Sequence, residues 1–360
     1  MKHAVFLIDL NQDVAVCRHL AHFIRRESSF AILFIVTKNF RRRDATGVWF
    51  LEIQEIVQEL DAELVEVGSV AETVRRLYQK AGLLFSASES ALDAHLFNHH
   101  TFLAAPAGFV RVTLQHGLEC IGFNHNDAHD RTWHHYVGMA CDVAASWFES
   151  DALHSVRADQ QMKVLAVGPP LGLESAAPAC RPRRAATGKP VVHGLVCENL
   201  HSVRFSAGDR THFVKALTSF AQKLEPLGGT IELRPHPGGL YLERNKVRLP
   251  ANVRINRLPL YRQSLEKFGF CISGPSTVLF DLVWANVPVA VWTSGDDKMS
   301  TGIYANLHTV SDEEDWLEFA VAATSDPGPF LDSQAKFLAS LRIPSDIPSR
   351  YHELLKLVAA

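Results

Sequence analysis

Ala4-Val5-Phe6-Leu7-Ile8-Asp9-Leu10 and, past the midpoint of the chain, Val191-Val192-His193-Gly194-Leu195-Val196 are the two stretches that decide the fold. Each is a short, almost unbroken apolar run, the pattern of a strand buried on both faces, and each starts a rhythm of apolar run, polar helical stretch and apolar run. Outward from the first, candidate strands fall at 31–37, 64–67, 83–86, 111–114 and 143–146, with helices between them, for example 12–26 and 48–60. Outward from the second come a helix over 209–224, strands at 230–233, 268–273 and 287–292, and a helix starting near Ser276. The class is α/β: two parallel sheets, each covered by helices.

Between the two rhythms, Gly168-Pro169-Pro170 opens a stretch rich in Pro, Ala and Arg that runs to Pro190 with no apolar period, which is linker chemistry. The expected organisation is an N-terminal unit at 1–170, a linker at 171–190, a second unit at 191–345 and a C-terminal helix at 346–360. The tail segments 332–341 and 348–358 read as helical, and one of them is a candidate to cross back to the first unit.

A chain of 360 residues has room for two domains, and 47% hydrophobic with 21% charged residues excludes bulk disorder. With 36 Lys plus Arg against 39 Asp plus Glu, the net charge of −3 supplies no global basic field, so nucleic acid is not an expected partner and any anion site must be local. The six cysteines lie far apart without a CxxC pair, as thiols of a reducing compartment do, and no zinc pattern is present. The first apolar run is too short for a signal peptide or a membrane span and ends at an acid. The expected location is the cytoplasm, with peripheral contact at a membrane open as an addition.

Four segments carry candidate chemistry, each placed just after a predicted strand, where open α/β sheets bind ligands. In Glu232-Leu233-Arg234-Pro235-His236-Pro237-Gly238-Gly239, two prolines fix the backbone around His236, and Arg234 brings a planar fork suited to phosphate or carboxylate. The other reading of that segment is a rigid turn with a satisfied histidine. In Ser273-Gly274-Pro275-Ser276-Thr277, a Gly-Pro turn leads to a helix that Ser276 or Thr277 is expected to cap, leaving amides and hydroxyls for an anion, or simply a capped helix.

Gln115-His116-Gly117-Leu118-Glu119 places an amide, an imidazole and a carboxylate after a strand of the first unit. Glu119 is a candidate general base, and a solvated turn is the alternative. Glu198-Asn199-Leu200-His201-Ser202-Val203-Arg204 crowds an acid, an amide, an imidazole and a guanidinium after a strand of the second unit, with a surface loop and helix cap as the alternative. The histidine-rich loop from Gly122 to His135 matches no common metal spacing. Phe40-Arg41-Arg42-Arg43 near Trp49-Phe50 fits a solvated loop better than a membrane contact, and so does the run from Arg181 to Arg184.

Together these features resemble the GT-B glycosyltransferases of bacterial capsule and O-antigen synthesis, whose fold is two Rossmann-like domains facing across a cleft. The Arg234-Pro235-His236-Pro237 element looks like the HP motif shared by capsule-type Kdo transferases, bacterial sialyltransferases and CDP-glycerol glycerophosphotransferases, all users of cytidine-linked donors. Gln115-His116-Gly117 with Glu119, and Glu198-Asn199 with His201-Ser202, look most like the retaining β-Kdo transferases.

The resemblance implies CMP-Kdo as donor, with no metal or other cofactor. Donor contacts would come from Arg234, His236, Ser273, Gly274, Ser276, Thr277, Asn199 and Arg204, and acceptor contacts from Gln115, His116 and Gly117. Glu198 would be the nucleophile and Glu119 the base, with the two roles interchangeable, and His236 would assist at the leaving phosphate. The implied partners are a glycan or lipid-linked glycan acceptor at the inner membrane and other polysaccharide-assembly enzymes. Rival readings are glycerophosphate transfer from CDP-glycerol, where a Trp-His-Gly-Thr stretch would stand in place of Gln115-His116-Gly117-Leu118, a UDP-sugar transferase, and a non-catalytic assembly subunit.

Overall fold

The computed structural model describes residues 1–134, 136–174, 192–294 and 301–358. The chain forms two compact units, Met1–Ala176 with Arg342–Ala360, and Ala177–Leu341. In the first unit the strands are β1 (His3–Ile8), β2 (Ala31–Thr37), β3 (Glu63–Val67), β4 (Gly82–Ser86), β5 (Phe109–Leu114), β6 (Val143–Ser146) and β7 (Val164–Ala166). Its helices are α1 (Asn11–Glu27), α2 (Lys38–Arg43), α3 (Val48–Glu59), α4 (Val70–Leu77), α5 (Leu96–Ala104) and α6 (Asp127–Trp133). The second unit carries β8 (His193–Glu198), β9 (Thr230–Pro235), β10 (Val253–Ile255), β11 (Phe270–Ser273), β12 (Val289–Trp292) and β13 (His308–Val310). Its helices are α7 (Ala207–Leu224), α8 (Tyr241–Arg244), α9 (Val278–Trp284), α10 (Glu313–Ser325) and α11 (Gly328–Ser340), and the tail ends in α12 (Ile347–Lys356).

The strand orders are β3-β2-β1-β4-β5-β6-β7 and β10-β9-β8-β11-β12-β13. Both follow the doubly wound plan, in which the order reverses beside the first strand of each unit. Every strand pairing is parallel, β1 lying between β2 and β4, and β8 between β9 and β11. Parallel pairing buries both faces, which is why these strands read as continuous apolar runs. At the centre of the first sheet, Phe6 stands in register with Phe34 and Phe85, with ring centroids 5.1 Å apart on each side. The second core joins Phe213, Phe220, Phe270, Trp292 and Trp316 through edge-to-face contacts, the arrangement that the ring quadrupole favours.

The predicted strands are found with shifted ends, and β7, β10 and β13, of three residues each, were not anticipated. A three-residue edge strand has too few positions to show a period. The expected linker lies outside the described residues except for 171–174, where a 3₁₀ turn, Pro170–Leu173, packs against the tail. Arg181 to Arg184 also lie outside them.

Of the two tail helices, α12 belongs to the first unit. Tyr351 is buried and its hydroxyl donates to the Gly168 carbonyl at 3.2 Å. Ile347 lies so close to Gly168 and Gly172 that a Cβ on either would come within 2.7 and 2.3 Å of it.

Glycine is required at one core position of β8. A Cβ on Gly194 would sit 2.0 Å from Cζ of Phe270 on the neighbouring strand. Gly194→Ala is expected to destabilise by about 1–3 kcal/mol through overpacking. Phe270→Leu in the same chain is expected to recover part of that loss, giving a non-additive double-mutant cycle in urea denaturation.

Candidate functional site

The carboxyl end of β8 organises the second unit. Glu198, its last residue, is 1% exposed and its carboxylate accepts two backbone N–H groups, Tyr241 at 3.1 Å and Leu242 at 3.3 Å. These are the first two residues of α8, so Glu198 closes the start of that helix. The preceding Leu240 is held at φ 50°, ψ 41°, a left-handed conformation costing about 1–2 kcal/mol for a residue with a Cβ. Asn199, one position on, donates from Nδ2 to the Pro275 carbonyl at 3.0 Å. Consecutive residues therefore tie the turn after β9 and the turn after β11 to the end of β8.

The strand β9 runs two residues further than its apolar run suggests, because Arg234 and Pro235 pair with Cys197 and Glu198. His236 is thus the first residue beyond the sheet. Its Nδ1 accepts the Gly238 N–H at 3.1 Å, so the neutral ring carries its proton on Nε2. Its face stacks on His201, with centroids 3.8 Å apart and planes at 27°. Gly239 makes room for that pair, since a Cβ there would lie 2.7 Å from the Cβ of His201.

Both imidazoles are held in the neutral form. Burial, then His201 and the Arg234 guanidinium, push His236 well below the ordinary histidine range. His201 is exposed at the surface, yet the protein groups crowded around its ring, then Arg210, Arg204 and Arg244, lower it to about 4. Arg210 is itself anchored, donating from Nε to the Leu200 carbonyl at 2.7 Å. The arrangement is an imidazole stack in the positive field of four guanidinium groups, a setting that favours an anion.

The Ser-rich turn differs from expectation. Thr277 occupies the cap position of α9 but makes no capping bond with its side chain, and the first helical bonds are accepted by the Ser276 and Thr277 carbonyls. Ser273 is fully buried and its hydroxyl donates to the Gly274 carbonyl at 2.8 Å, so it serves the turn. Gly274 is required by Phe205, whose ring would lie 2.7 Å from a Cβ. Ser276 remains half-buried at the turn. Arg204 keeps its Nε 3.3 Å from the Ser202 hydroxyl.

In the first unit, Gln115 is 1% exposed and works internally. Its Oε1 accepts the Trp147 N–H at 2.8 Å and its Nε2 donates to the Gly117 carbonyl at 2.8 Å, so each end of the amide is bonded to backbone. His116 has the better functional geometry. Its Nδ1 lies 2.6 Å from the Ala87 carbonyl, which requires the proton on Nδ1 and puts the lone pair on Nε2, with the Cys120 sulfur 3.9 Å away. Burial lowers its pKa below the usual histidine value, keeping it neutral. Glu119 accepts from Asn126 Nδ2 at 3.3 Å.

A further dense polar set, absent from the four segments above, stands at the reversal point of the first sheet. Asp9, 1% exposed at the end of β1, accepts from the Thr37 hydroxyl at 2.5 Å, from Asn39 Nδ2 at 3.2 Å and from Arg43 at 3.3 Å. Asp13, fully buried, accepts the Asp9 and Leu10 N–H groups and the Ser88 hydroxyl, and burial raises it to about 7. Glu89 receives His99 Nδ1 at 2.7 Å, the Ala140 N–H at 2.9 Å and the Thr113 hydroxyl. The readable signal was Ser86-Ala87-Ser88-Glu89-Ser90, a polar run that follows directly on a buried strand.

The histidine-rich loop is likewise tied internally. His125 Nδ1 lies 3.0 Å from Asp130, its Nε2 accepts the Gly122 N–H at 2.8 Å, and His135 lies outside the described residues. Among the described residues, no group of three His, Cys, Asp or Glu side chains is placed to hold a metal ion.

No known family and no curated protein matches the chain in sequence. Solved structures do match in shape. UDP-GlcNAc 2-epimerase from Neisseria meningitidis bound to UDP-GlcNAc aligns with TM-score 0.60 and 9% identity over 99% of this chain and 98% of that one. The wall teichoic acid polymerase TagF aligns with TM-score 0.57 and 10% identity over 100% and 87%. The calicheamicin glycosyltransferase CalG4 aligns with TM-score 0.54 and 11% identity over 99% and 98%.

The fold is GT-B. In the terms of that fold, the HP turn and the Asn199–Pro275 tie sit at the reversal point of the second Rossmann-like unit, and the Asp9, Ser88 and Glu89 set at that of the first.

The side chain of Phe40 and the ring of Trp49 point into the first core, and Arg41 lies over the Phe50 ring at 3.6 Å, so the basic run presents guanidinium groups with little free aromatic surface. Among the described residues, no helix is long and apolar enough to cross a membrane.

Two consequences are measurable. Glu198→Gln replaces one acceptor oxygen by an NH₂ facing a backbone N–H, so it is expected to lower the melting temperature of the ligand-free protein, at a cost of about 1–3 kcal/mol. A carboxylate kept for chemistry alone would leave that temperature unchanged.

His95, bonded through Nδ1 to the Ser90 hydroxyl at 2.7 Å, is depressed to about 3, by burial first and then by His116 and Arg43. The unfolded chain binds this proton near pH 6.5 and the folded chain does not, so stability falls with pH from about 6.5 towards 3, at up to about 1.4 kcal/mol per unit. In His95→Gln, denaturant titrations across that window are expected to show a shallower acid limb.

Proposed function

We propose that the chain is a transferase that takes a nucleotide-activated donor at the HP turn of its second unit and passes the activated group to a hydroxyl acceptor. The single observation that carries this is the His236–His201 stack set among Arg204, Arg210, Arg234 and Arg244 at the reversal point of a doubly wound sheet. Such a cluster suits a phosphate, which meets fixed positive charge and an Nε2–H donor without reorganisation. The likeness in shape to an epimerase bound to UDP-GlcNAc and to TagF soaked with CDPG supports a nucleotide-linked substrate.

In this reading His236 donates to the departing phosphate through Nε2–H, and the guanidinium groups offset the negative charge that a metal would otherwise neutralise. The acceptor hydroxyl would give its proton to His116, whose Nε2 lone pair is oriented by the Ala87 carbonyl. Glu119 becomes the second choice for that role. Glu198 is read as a positioning residue, because both carboxylate oxygens are engaged by α8.

We favour a cytidine-linked donor from the HP element. Kdo as the transferred acid rests on the resemblance of Gln115-His116-Gly117 and Glu198-Asn199 to the β-Kdo transferases. The acceptor would be a glycan or lipid-linked glycan.

The test is a thermal-shift series with CMP, CDP and UDP, with and without magnesium, on the wild type and on His236→Ala. A ligand at about a hundred times its dissociation constant adds roughly 2.7 kcal/mol of stability. Stabilisation by CMP or CDP that is lost in His236→Ala is the expected result. Preference for UDP would replace the cytidine assignment, and no response to any nucleotide would overturn the proposal.

A further inference from the structure

On the loop after β8, a second imidazole stacks on the HP turn. His201 lies face to face with His236 at 3.8 Å, and Gly239 is a glycine because the His201 side chain occupies the space of a Cβ. The two rings differ in what their nitrogens do. His236 Nδ1 is already an acceptor for the Gly238 N–H, so adding a proton there would break the bond that shapes the turn. Among the described residues, neither nitrogen of His201 takes part in a hydrogen bond, so a proton added there costs the turn nothing.

The charged groups around the pair come from every packed element: Arg204 on its own loop, Arg210 on α7, Arg234 at the end of β9 and Arg244 on α8. Of the nearby carboxylates, Glu198 is held by two amides of α8, and Glu243 pairs with Arg257 through Oε2 while its buried Oε1 has no hydrogen-bond partner. The free site therefore opposes a proton on His201, and an anion placed beside these arginines offsets part of that field.

We propose that His201 is a second phosphate-side residue, which takes up one proton from solvent when a phosphodiester anion binds at the HP turn. No covalent bond is made or broken beyond the N–H bond formed on His201. The neutral stack becomes an imidazolium resting on a neutral imidazole, and the bound complex holds one more charge pair than the free protein. Because the free pair is neutral and the bound pair cationic, affinity rises as pH falls through the value at which the bound His201 loses its proton.

This inference rests on the proposed binding of a nucleotide-linked donor, and the experiment separates the two. The probes are CDP-glycerol and UDP-glucose, diphosphate diesters that do not themselves titrate near neutrality. Isothermal titration calorimetry between about pH 6 and pH 8, in buffers of different ionisation enthalpy, counts the protons taken up. The wild type is expected to take up about one proton, with affinity changing by up to about tenfold per pH unit.

His201→Phe keeps a stacking ring and His201→Gln keeps a polar group. Both are expected to bind at the alkaline end while losing the uptake and the pH slope, and far-ultraviolet melts check that they fold. Uptake that persists in both variants, or its absence in a wild type that binds, overturns the role of His201 and leaves the function standing. A wild type that binds neither probe at any pH overturns both.

Discussion

The end of β8 is the point on which the second unit depends. Glu198 and Asn199 follow one another in the chain, so in extended backbone their side chains leave in opposite directions. One reaches the amides of α8 and the other the carbonyl of Pro275. Two loops from separate crossovers are thereby fixed against a single strand end. The left-handed Leu240 would be costly on a free loop, and it is stable where a buried carboxylate holds the next two amides. A carboxylate in that place is at once a cap for α8 and an anchor for the turn after β9.

The chemistry follows from what is left over. Once Glu198, Asn199 and Ser273 are engaged by backbone, the groups still facing outward at the HP turn are two imidazoles, the half-buried Ser276 and guanidinium groups. All of them are donors or potential cations, although the protein as a whole is slightly acidic. Local charge of one sign in a molecule of the other is how a site selects an anion without drawing polyanions over its whole surface. In the first unit the balance is reversed. Asp9, Asp13 and Glu89 are buried carboxylates bound by hydroxyls, amides and imidazole, so that end of the sheet is a polar network bonded largely from within, with Asp13 Oδ1 left unpartnered, and His116 and His95 stay neutral in it.

Legibility in the sequence tracked how far each signal acts along the chain. Long buried strands such as β1 and β2 and the amphipathic α7 were readable because their pattern repeats over several positions, whereas β7, β10 and β13 gain their strand character only by pairing with a neighbour. The HP turn was readable as a rigid element after a strand, since Pro, His and Gly act on adjacent backbone. His201 was seen only as part of a polar run, because its partner lies on a different crossover. Gln115 and Glu198 look in sequence like functional polar groups, and nothing local distinguishes an amide or acid used for ligand from one used for backbone.

The sequence by itself determined the α/β class, the two-unit layout and the places where strands hand over to polar loops, because hydrophobic period and turn chemistry are properties of neighbouring residues. Tertiary structure alone decided which polar side chains are structural and which remain available. That choice depends on partners brought together by parallel pairing: Pro275 with Asn199, Tyr241 with Glu198, Trp147 with Gln115, His201 with His236. Hydrogen bonds and ring stacking act over a few ångströms, and the residues they join are separated along the chain by lengths over which no local pattern persists.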